Sequence, residues 1–202
     1  AEYANQDAQE ALEEASELLS AITGAQTDRM VRDDGWRMLS IGRHIERLST
    51  LAGALELALT TGSLFEDSGY EALLALFDST ITFHAQYQQR RDLVALLDLL
   101  VIHRDNPRSL AWVLSTLRAR VAKLPETDGQ SAHTLLTPMP DPQAWDLIAL
   151  SGAMAGHNPG PGVHLALQSL LQHCAQSAMD LSDRLGHRYF SHADRQNRSL
   201  VT

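Results

Sequence analysis

The stretch Trp36-Arg-Met-Leu-Ser-Ile-Gly-Arg-His-Ile-Glu-Arg47 opens a long apolar repeat in this chain. From here apolar residues recur at alternating spacings of three and four, which is the periodicity of a helix with one buried face. The members of this stripe are Met38, Ile41, Ile45, Leu48, Ala52, Leu55 and Leu59. The pattern predicts one long central helix that ends near residue 60, with Asp33 or Asp34 as its N-terminal cap.

A second row of residues lies roughly 150° around the same helix. It consists of Trp36, Leu39, Arg43, Glu46, Thr50, Gly53 and Leu57. A helix that is apolar on two sides is typical of a protein interior. Small residues between the rows, among them Gly42 and Gly53, would let another backbone approach closely. An interior position would bury Arg43 and Glu46, and an unpaired buried charge is costly.

The rest of the chain shows helical periodicity and no pattern typical of a β-strand. Helices are predicted at residues 1–22, 68–89, 91–103, 106–125 and 141–155, and a last long one ends near residue 190. Residues 23–34 are predicted to be a connector. Ser68 to Glu71 match a capping box, and Asn106 and Asp141 each precede a proline as helix caps. We therefore predict an all-α fold, a bundle of six or seven helices around a long central helix.

The length, cysteine count and net charge of the chain limit the class of protein to which it can belong. The 202 residues can bury a sizeable core, and we expect one domain over residues 1–202. A single cysteine excludes an internal disulfide and suits the cytoplasm. The net charge of −9 argues against nucleic acid, and no apolar run is long enough to predict a membrane span. The first residue, Ala1, suggests a C-terminal fragment of a longer protein.

The sequence contains no pattern that we assign to catalysis or to metal binding. No carboxylate has a histidine three residues downstream, so the pattern of helical di-iron sites is absent and we predict no metal. The glycine-rich residues 156–162 lack the P-loop lysine and are predicted to form a turn between helices. Cys174 lies among apolar residues and is predicted to be a buried, inert thiol.

Two arginine clusters are the candidate binding or interface residues. Arg43, Glu46 and Arg47 fall within one helical turn, and Arg104 and Arg108 flank the predicted start of another helix. One interpretation is an internal ion-pair network that locks helix packing. The other is a cleft in which arginines hold a carboxylate or a phosphate. The residues alone do not decide between them.

Several blocks together resemble one known family. Gly42-Arg43-x-x-Glu46-Arg47 resembles the Glu-Arg signature of the alpha-E family of bacterial all-helical proteins. Residues 16–24 resemble the segment that leads into this signature, and blocks at residues 78–87, 97–109 and 189–190 resemble the parts of the family that follow it, in the same order. Family members usually carry two Glu-Arg blocks, and this chain holds what resembles the second. The chain also departs from the family at Phe83, His84 and Gln86, where basic residues are frequent.

The resemblance implies a partner that performs the chemistry. Alpha-E domains are commonly encoded beside, or fused to, circularly permuted ATP-grasp domains, which join a carboxylate to an amine through an acyl phosphate. The resemblance therefore implies an accessory domain of an amide- or peptide-forming system, with ATP and Mg²⁺ on the ATP-grasp partner and no cofactor in this chain. The alternatives are a structural or dimerisation module, which forms homo-oligomers, and an independent enzyme that acts on an amide or amine.

Overall fold

A computed structural model of the chain describes residues 2–88, 92–126, 131–152 and 164–190. Within these ranges the fold is all-α, as predicted, with eight α-helices and no β-strand. The helices are α1 (Glu2–Arg29), α2 (Asp34–Thr61), α3 (Asp67–Leu76), α4 (Thr80–Tyr87), α5 (Leu93–Leu97), α6 (Leu110–Val121), α7 (Leu147–Ser151) and α8 (Leu165–Leu185). The chain divides into two compact units, Ala1–Leu39 and Ser40–Thr202, and the single domain over residues 1–202 stays a prediction.

The first unit is dominated by α1, which is longer than predicted. It continues to Arg29, so the predicted connector at residues 23–34 is wrong except for residues 30–33. A glycine in a helix costs only about 1 kcal/mol relative to alanine, and Gly24 therefore does not end α1. The apolar side of α1 is exposed, with Leu12 at 72% and Leu19 at 64% of full exposure.

Helix α2 begins as the sequence predicts. The Asp33 carboxylate accepts a hydrogen bond from the backbone N–H of Trp36 across 2.9 Å, which caps the helix. Asp34 in the first turn forms an ion pair with Arg37. The helix ends at Thr61, whose hydroxyl donates to the carbonyl of Leu57. Both predicted ends of this helix are confirmed to within a residue or two.

The second unit contains the hydrophobic core. The α2 stripe is buried at Ile41, Leu48, Ala52, Leu55 and Leu59, as its periodicity predicts. Other large side chains that are fully buried come from α3 to α6 and the turns between them, and they include Leu74, Phe77, Phe83, Leu96, Leu97, Leu99, Leu100, Leu110 and Leu114. Each such side chain contributes about 1.5–3 kcal/mol by leaving water. This burial fixes the side of α2 that faces the core.

The helix predicted at residues 68–89 is two helices. The chain breaks between α3 and α4 at Asp78, whose φ of +45° lies in the left-handed region. The break shifts the apolar register, so Ile81 is 86% exposed and Phe83 is buried instead. The predicted capping box is also wrong, because α3 begins at Asp67 and Ser68 lies inside its first turn.

Gly69 is the glycine of α3 that the packing requires. The turn Ser63–Phe65 lies directly against the backbone of this residue. A Cβ atom added to Gly69 would lie 2.1 Å from the carbonyl oxygen of Ser63. Only glycine permits this close approach of two backbone segments.

Helix α5 has a side-chain cap, although none was predicted for it, and the cap of α6 differs from the predicted one. The carboxylate of Asp92 accepts a hydrogen bond from the N–H of Ala95 across 2.7 Å, and the Ser109 hydroxyl accepts from the N–H of Trp112 across 3.1 Å. Asn106, the predicted cap of α6, instead accepts from the N–H of Arg108 in a turn. Helix α5 passes into the π-helical turn Asp98–Ile102.

The helix predicted at residues 141–155 is wrong over its first part. Asp141 starts the short turn Pro142–Ala144, and α7 begins later with Asp146 as its cap. The two aspartates offer the same local hydrogen bond, and the one nearer the apolar residues Leu147 and Leu150 caps the helix. The predicted end at residues 153–155 and the glycine-rich turn at residues 156–162 lie outside the described ranges.

Helix α8 has the apolar spacing that the sequence predicts. Its buried residues are Leu167, Leu171, Cys174, Ser177, Ala178, Leu181 and Leu185. The π-helical turn Gly186–Phe190 extends it, and the hydroxyl of Tyr189 donates to the carbonyl of Pro125 across 2.9 Å. Across the described segments, no helix combines the length and apolarity that a bilayer span needs.

Candidate functional site

The Glu-Arg segment of α2 faces outward on the side opposite the core stripe. Glu46 and Arg47 are exposed and Arg43 is half-buried. Leu57, at the end of the same row, is 64% exposed. The predicted interior position of this row is therefore wrong, because the core covers only one side of α2.

The ion pair expected from that interior position is not formed. Arg43, Glu46 and Arg47 take part in no ion pair with any residue in the described part of the chain. Glu46 is exposed to solvent, so it needs no partner to offset a loss of solvation. The close backbone approach predicted beside this row is likewise not found, since nothing described lies within 4 Å of a Cβ built at Gly42 or Gly53.

His44 lies between the two arginines in sequence and was not predicted as a site residue. Its ring is half-buried and stacks on the indole of Trp112 from α6, with ring centroids 5.9 Å apart and planes inclined by 29°. Its Nδ1 atom lies 2.6 Å from the carbonyl oxygen of Ser40. Since a carbonyl oxygen only accepts, Nδ1 carries a proton and Nε2 is the unprotonated nitrogen of the neutral ring. Nε2 is buried and has no hydrogen-bond partner among the residues that the structure describes.

The charges around His44 are positive. Burial is the main cause that lowers its pKa, and the guanidinium groups of Arg120, Arg47 and Arg43 lower the pKa further. The hydrogen bond to Ser40 acts in the opposite direction. The arginines come from two helices, α2 and α6, so the fold itself brings positive charge together around a neutral ring.

The second predicted cluster has a structural contact at one of its arginines. Arg108 donates from Nη1 to the backbone carbonyl of Asp78 across 3.0 Å and forms an ion pair with the carboxylate of the same residue. Arg104 is exposed. No hydrogen bond or ion pair within the described ranges joins Arg104 or Arg108 to the Glu-Arg segment of α2. The structure thus gives the two predicted clusters different surroundings.

A polar contact also joins two of the sequence blocks near the core. The hydroxyl of Tyr87 donates to the carboxylate of Asp98 across 2.6 Å, and its ring stacks on Phe83. Asp98 is half-buried, with Tyr87 as its partner. Burial and this carboxylate raise the pKa of Tyr87 above its ordinary value of 10. A tyrosine held in its neutral form is suited to supporting the helices rather than to acting as a base.

The remaining polar features offer less chemistry. An open groove is lined by Thr137, Pro138, Asp180, Asp183 and Arg184, and it contains none of the predicted site residues. The guanidinium of Arg118 donates to three backbone carbonyls between residues 136 and 140, which ties that loop to α6. Among the residues that the structure describes, no three or more His, Cys, Asp or Glu side chains gather as metal ligands would.

Comparisons with known proteins identify relatives of the chain. An uncharacterized protein of Mycobacterium bovis and one of Mycobacterium tuberculosis are each 33% identical to it over 112 residues. Those residues make up 54% of this chain and 13% of each relative, so the chain spans only a small part of the proteins that it matches. No solved structure gives a significant match.

One protein family matches nearly the whole length. Its sequence model covers residues 1–190, and it is described as a predicted alpha-helical domain with a conserved ER motif. The sequence contains one Glu-Arg dipeptide, Glu46-Arg47, and it lies in the segment of α2 discussed above. The all-helical fold agrees with the description. The chain therefore belongs to the Alpha-E family.

Proposed function

We propose that this chain is a binding domain of an ATP-grasp-type system that forms amide or peptide bonds, and that its partner performs the chemistry. The observation that carries the proposal is the outward orientation of Glu46 and Arg47 on α2, with Arg43 half-exposed beside them. Side chains that are not used in internal pairing are available to a partner or a substrate. The family resemblance supplies the kind of system in which they would act.

The chemistry of that system fits an arginine face. ATP-grasp ligases activate a carboxylate as an acyl phosphate before an amine attacks it, so their substrates carry carboxylate and phosphate groups. Arginine binds both groups with two parallel hydrogen bonds, and its charge persists at any physiological pH. Arg43 and Arg47, one turn apart on α2, would contact the acidic group of the substrate or an acidic surface of the ligase. The proposed location is the cytoplasm, where ATP is available to such a ligase.

Binding to the ligase tests the proposal. The full chain is mixed with the circularly permuted ATP-grasp protein encoded beside it. Association of the two proteins is followed by size-exclusion chromatography at micromolar concentration. We expect the two proteins to co-elute and the chain to change the rate of ADP release by the ligase. The double variant Arg43→Gln/Arg47→Gln should weaken both effects. The control Arg29→Gln removes one exposed charge from α1 and should leave both unchanged. No co-elution together with no effect on ADP release would contradict the proposal.

A dimerisation module is the second candidate, and helix α1 favours it. Leu12, Leu18, Leu19 and Ile22 are all more than half exposed on this one helix. Contiguous apolar surface of this kind is a feature of contact surfaces between proteins. Light scattering of the full chain measures its mass in solution. A dimer that Leu19→Gln dissociates, and that Leu76→Gln on α3 leaves intact, would support this candidate over a purely monomeric binding domain.

A further inference from the structure

The charges around His44 suggest a more specific role for the outer side of α2. Arg43 and Arg47 lie at positions i and i+4 of one helix, and His44 lies at i+1. At about 100° per residue these three side chains leave the helix within roughly a third of a turn. Arg120 from α6 adds a third guanidinium whose charge reaches the His44 ring. Positive charge from two elements thus converges on one histidine.

The ring itself is held in a fixed orientation. The hydrogen bond from Nδ1 to the Ser40 carbonyl occupies one nitrogen, and the stacking with Trp112 restricts rotation of the ring. Nδ1 keeps its proton in both charge states, so Nε2 is the atom that gains or loses one. Within the described part of the chain, Nε2 is buried without a hydrogen-bond partner. A buried nitrogen in that state normally costs free energy, which a ligand that pairs with it would recover.

We propose that Arg43, His44 and Arg47 bind an oxyanion, the carboxylate or phosphate group of a ligand, and that His44 gains a proton from solvent at Nε2 when the anion arrives. The inference rests on the proposed function, because it names the ligand class of the same side of α2. Nε2 is covered in the empty site, so the side chains that cover it must shift when the anion binds. In the bound state the guanidinium groups and the new Nε2–H then donate to the anion oxygens. These are charge-assisted hydrogen bonds, about twice as strong as neutral ones.

The proton uptake follows from electrostatics. In the empty site, burial and the charges of Arg43, Arg47 and Arg120 disfavour a second positive charge on the ring. A bound anion places a negative charge close to the ring and so raises the pKa of His44. By thermodynamic reciprocity, protonation of His44 must tighten anion binding to the same extent. Affinity should therefore rise as pH falls, by at most about tenfold per pH unit for one coupled proton.

The experiment titrates two probe anions into the full chain at constant ionic strength. Sulfate represents the tetrahedral phosphate group and acetate represents a carboxylate, and neither changes its charge between about pH 6 and pH 8. Calorimetry in buffers with different ionisation enthalpies measures both the affinity and the number of protons taken up. We expect tighter binding at pH 6 than at pH 8, with proton uptake. Binding of sulfate alone would assign a phosphate ligand, and binding of acetate alone would assign a carboxylate.

Variants separate the roles of the side chains. His44→Gln should abolish the pH dependence and proton uptake while it keeps some affinity. Arg43→Gln and Arg47→Gln should each weaken binding about tenfold, the loss expected for one charge-assisted contact. Each should also raise the pKa of His44, because it removes one of the charges that lower it. Arg29→Gln, which also removes one exposed positive charge, should bind as the unmodified chain does. Binding of neither anion, or a pH dependence that persists in His44→Gln, would overturn the inference.

A measurement on the unmodified chain covers the case in which His44→Gln does not fold. NMR of the imidazole rings gives the pKa of each histidine with and without the anion. The anion is added at about 20 times its dissociation constant, at which about 95% of the sites are filled. The pKa of the ring stacked on Trp112 should rise when the anion is present. An unchanged pKa would contradict the coupling. Because these tests need no ligase, their failure and a failure of ligase binding are distinguishable.

Discussion

The guanidinium of Arg108 holds both the backbone carbonyl and the carboxylate of Asp78, at the break between α3 and α4. Asp78 has a φ of +45°, a conformation that aspartate tolerates better than most residues. Arg108 belongs to the turn that precedes α6, so this contact joins two distant blocks of the Glu-Arg family pattern. In this structure Arg108 stabilises a corner of the bundle, whereas the sequence left both an ion-pair network and a ligand cleft open for its cluster.

Replacement of Arg108 should destabilise this corner. Arg108→Gln removes the hydrogen bond to the carbonyl, which contributes about 0.5–1.5 kcal/mol. It also removes the ion pair, but the side chains of Arg108 and Asp78 are 48% and 77% exposed, so solvent reduces that part to at most about 1 kcal/mol. Asp78→Asn removes only the ion pair and should lower the free energy of unfolding less. Urea unfolding measures the free energy of unfolding of both variants. An equal loss of stability in the two would show that the hydrogen bond to the carbonyl contributes nothing beyond the ion pair.

Tyr87 should contribute to stability through its hydroxyl group. Tyr87→Phe leaves the half-buried carboxylate of Asp98 without its donor, and we expect a loss of about 1–3 kcal/mol in the free energy of unfolding. Tyr87→Phe/Asp98→Asn provides the control, because the neutral amide needs the donor less. A smaller loss in the double variant than in the single one would confirm the contact.

The raised pKa of Tyr87 also predicts how stability changes at alkaline pH. Between its ordinary pKa of 10 and its higher value in the fold, Tyr87 stays neutral in the folded chain and ionises in the unfolded chain. Its contribution is therefore complete below pH 10 and is lost as pH rises through the folded value. Unfolding measured at pH 9 and at pH 11 should show a smaller loss of stability in Tyr87→Phe than in the unmodified chain.

Two helical glycines should respond in opposite ways to the same substitution. Gly69→Ala places a methyl group against the carbonyl of Ser63 and should cost about 1–3 kcal/mol, as overpacking does. Gly53→Ala meets nothing within 4 Å and should stabilise α2 by up to about 1 kcal/mol through helix propensity. Thermal unfolding of the two variants tests whether Gly69→Ala lowers stability and Gly53→Ala raises it. A stabilised Gly69→Ala would show that the turn Ser63–Phe65 moves aside easily.

His44 should make the chain less stable at acidic pH when no oxyanion is present. Its folded pKa lies below its ordinary value of 6.5, so the unfolded state takes up a proton first as pH falls. The stability that His44 contributes is complete above pH 6.5 and is lost as pH falls through the folded value. Unfolding in chloride buffer between pH 7.5 and 5 should show a steeper decline in the unmodified chain than in His44→Gln. Equal slopes would contradict the lowered pKa.

Cys174 should react with thiol reagents only after the chain unfolds. It is fully buried in α8, as its apolar neighbours predict, and burial raises its pKa to about 12. A thiol with that pKa contains almost no thiolate at pH 8. Labelling with a chromogenic disulfide should be slow in native buffer and fast in urea. Rapid labelling in native buffer, at a rate independent of stability, would show instead that α8 opens locally.

The strongest sequence predictions were those that depend on one buried face. The stripe of α2 and the apolar positions of α8 follow directly from 3.6-residue periodicity, and the structure confirms both. The caps were harder to assign, because Asn106 and Ser109 both precede the same apolar run and either can accept the hydrogen bond. Ser109 caps α6 since Asn106 is used in the preceding turn, where its amide donates to the carbonyl of Leu99.

The errors have a common physical cause, which is that periodicity does not report what lies opposite a helix. The second row of α2 contains enough apolar residues to suggest burial, yet Leu57 is a leucine in contact with solvent. The α3–α4 break was also missed, although Asp78 followed by Ser79 and Thr80 is a recognisable turn signal. His44 was missed because its environment depends on Trp112 and Arg120, which only the folded chain brings near it.

The position of α8 in the sequence has a consequence for synthesis on the ribosome. This helix supplies a row of fully buried side chains to the core, and Gln172 on it donates a hydrogen bond to Glu56 of α2. Until α8 leaves the exit tunnel, the apolar surfaces that it covers on the helices that precede it remain uncovered. The nascent protein therefore passes through a stage with exposed leucines, at which chaperone binding or a pause in translation would matter most.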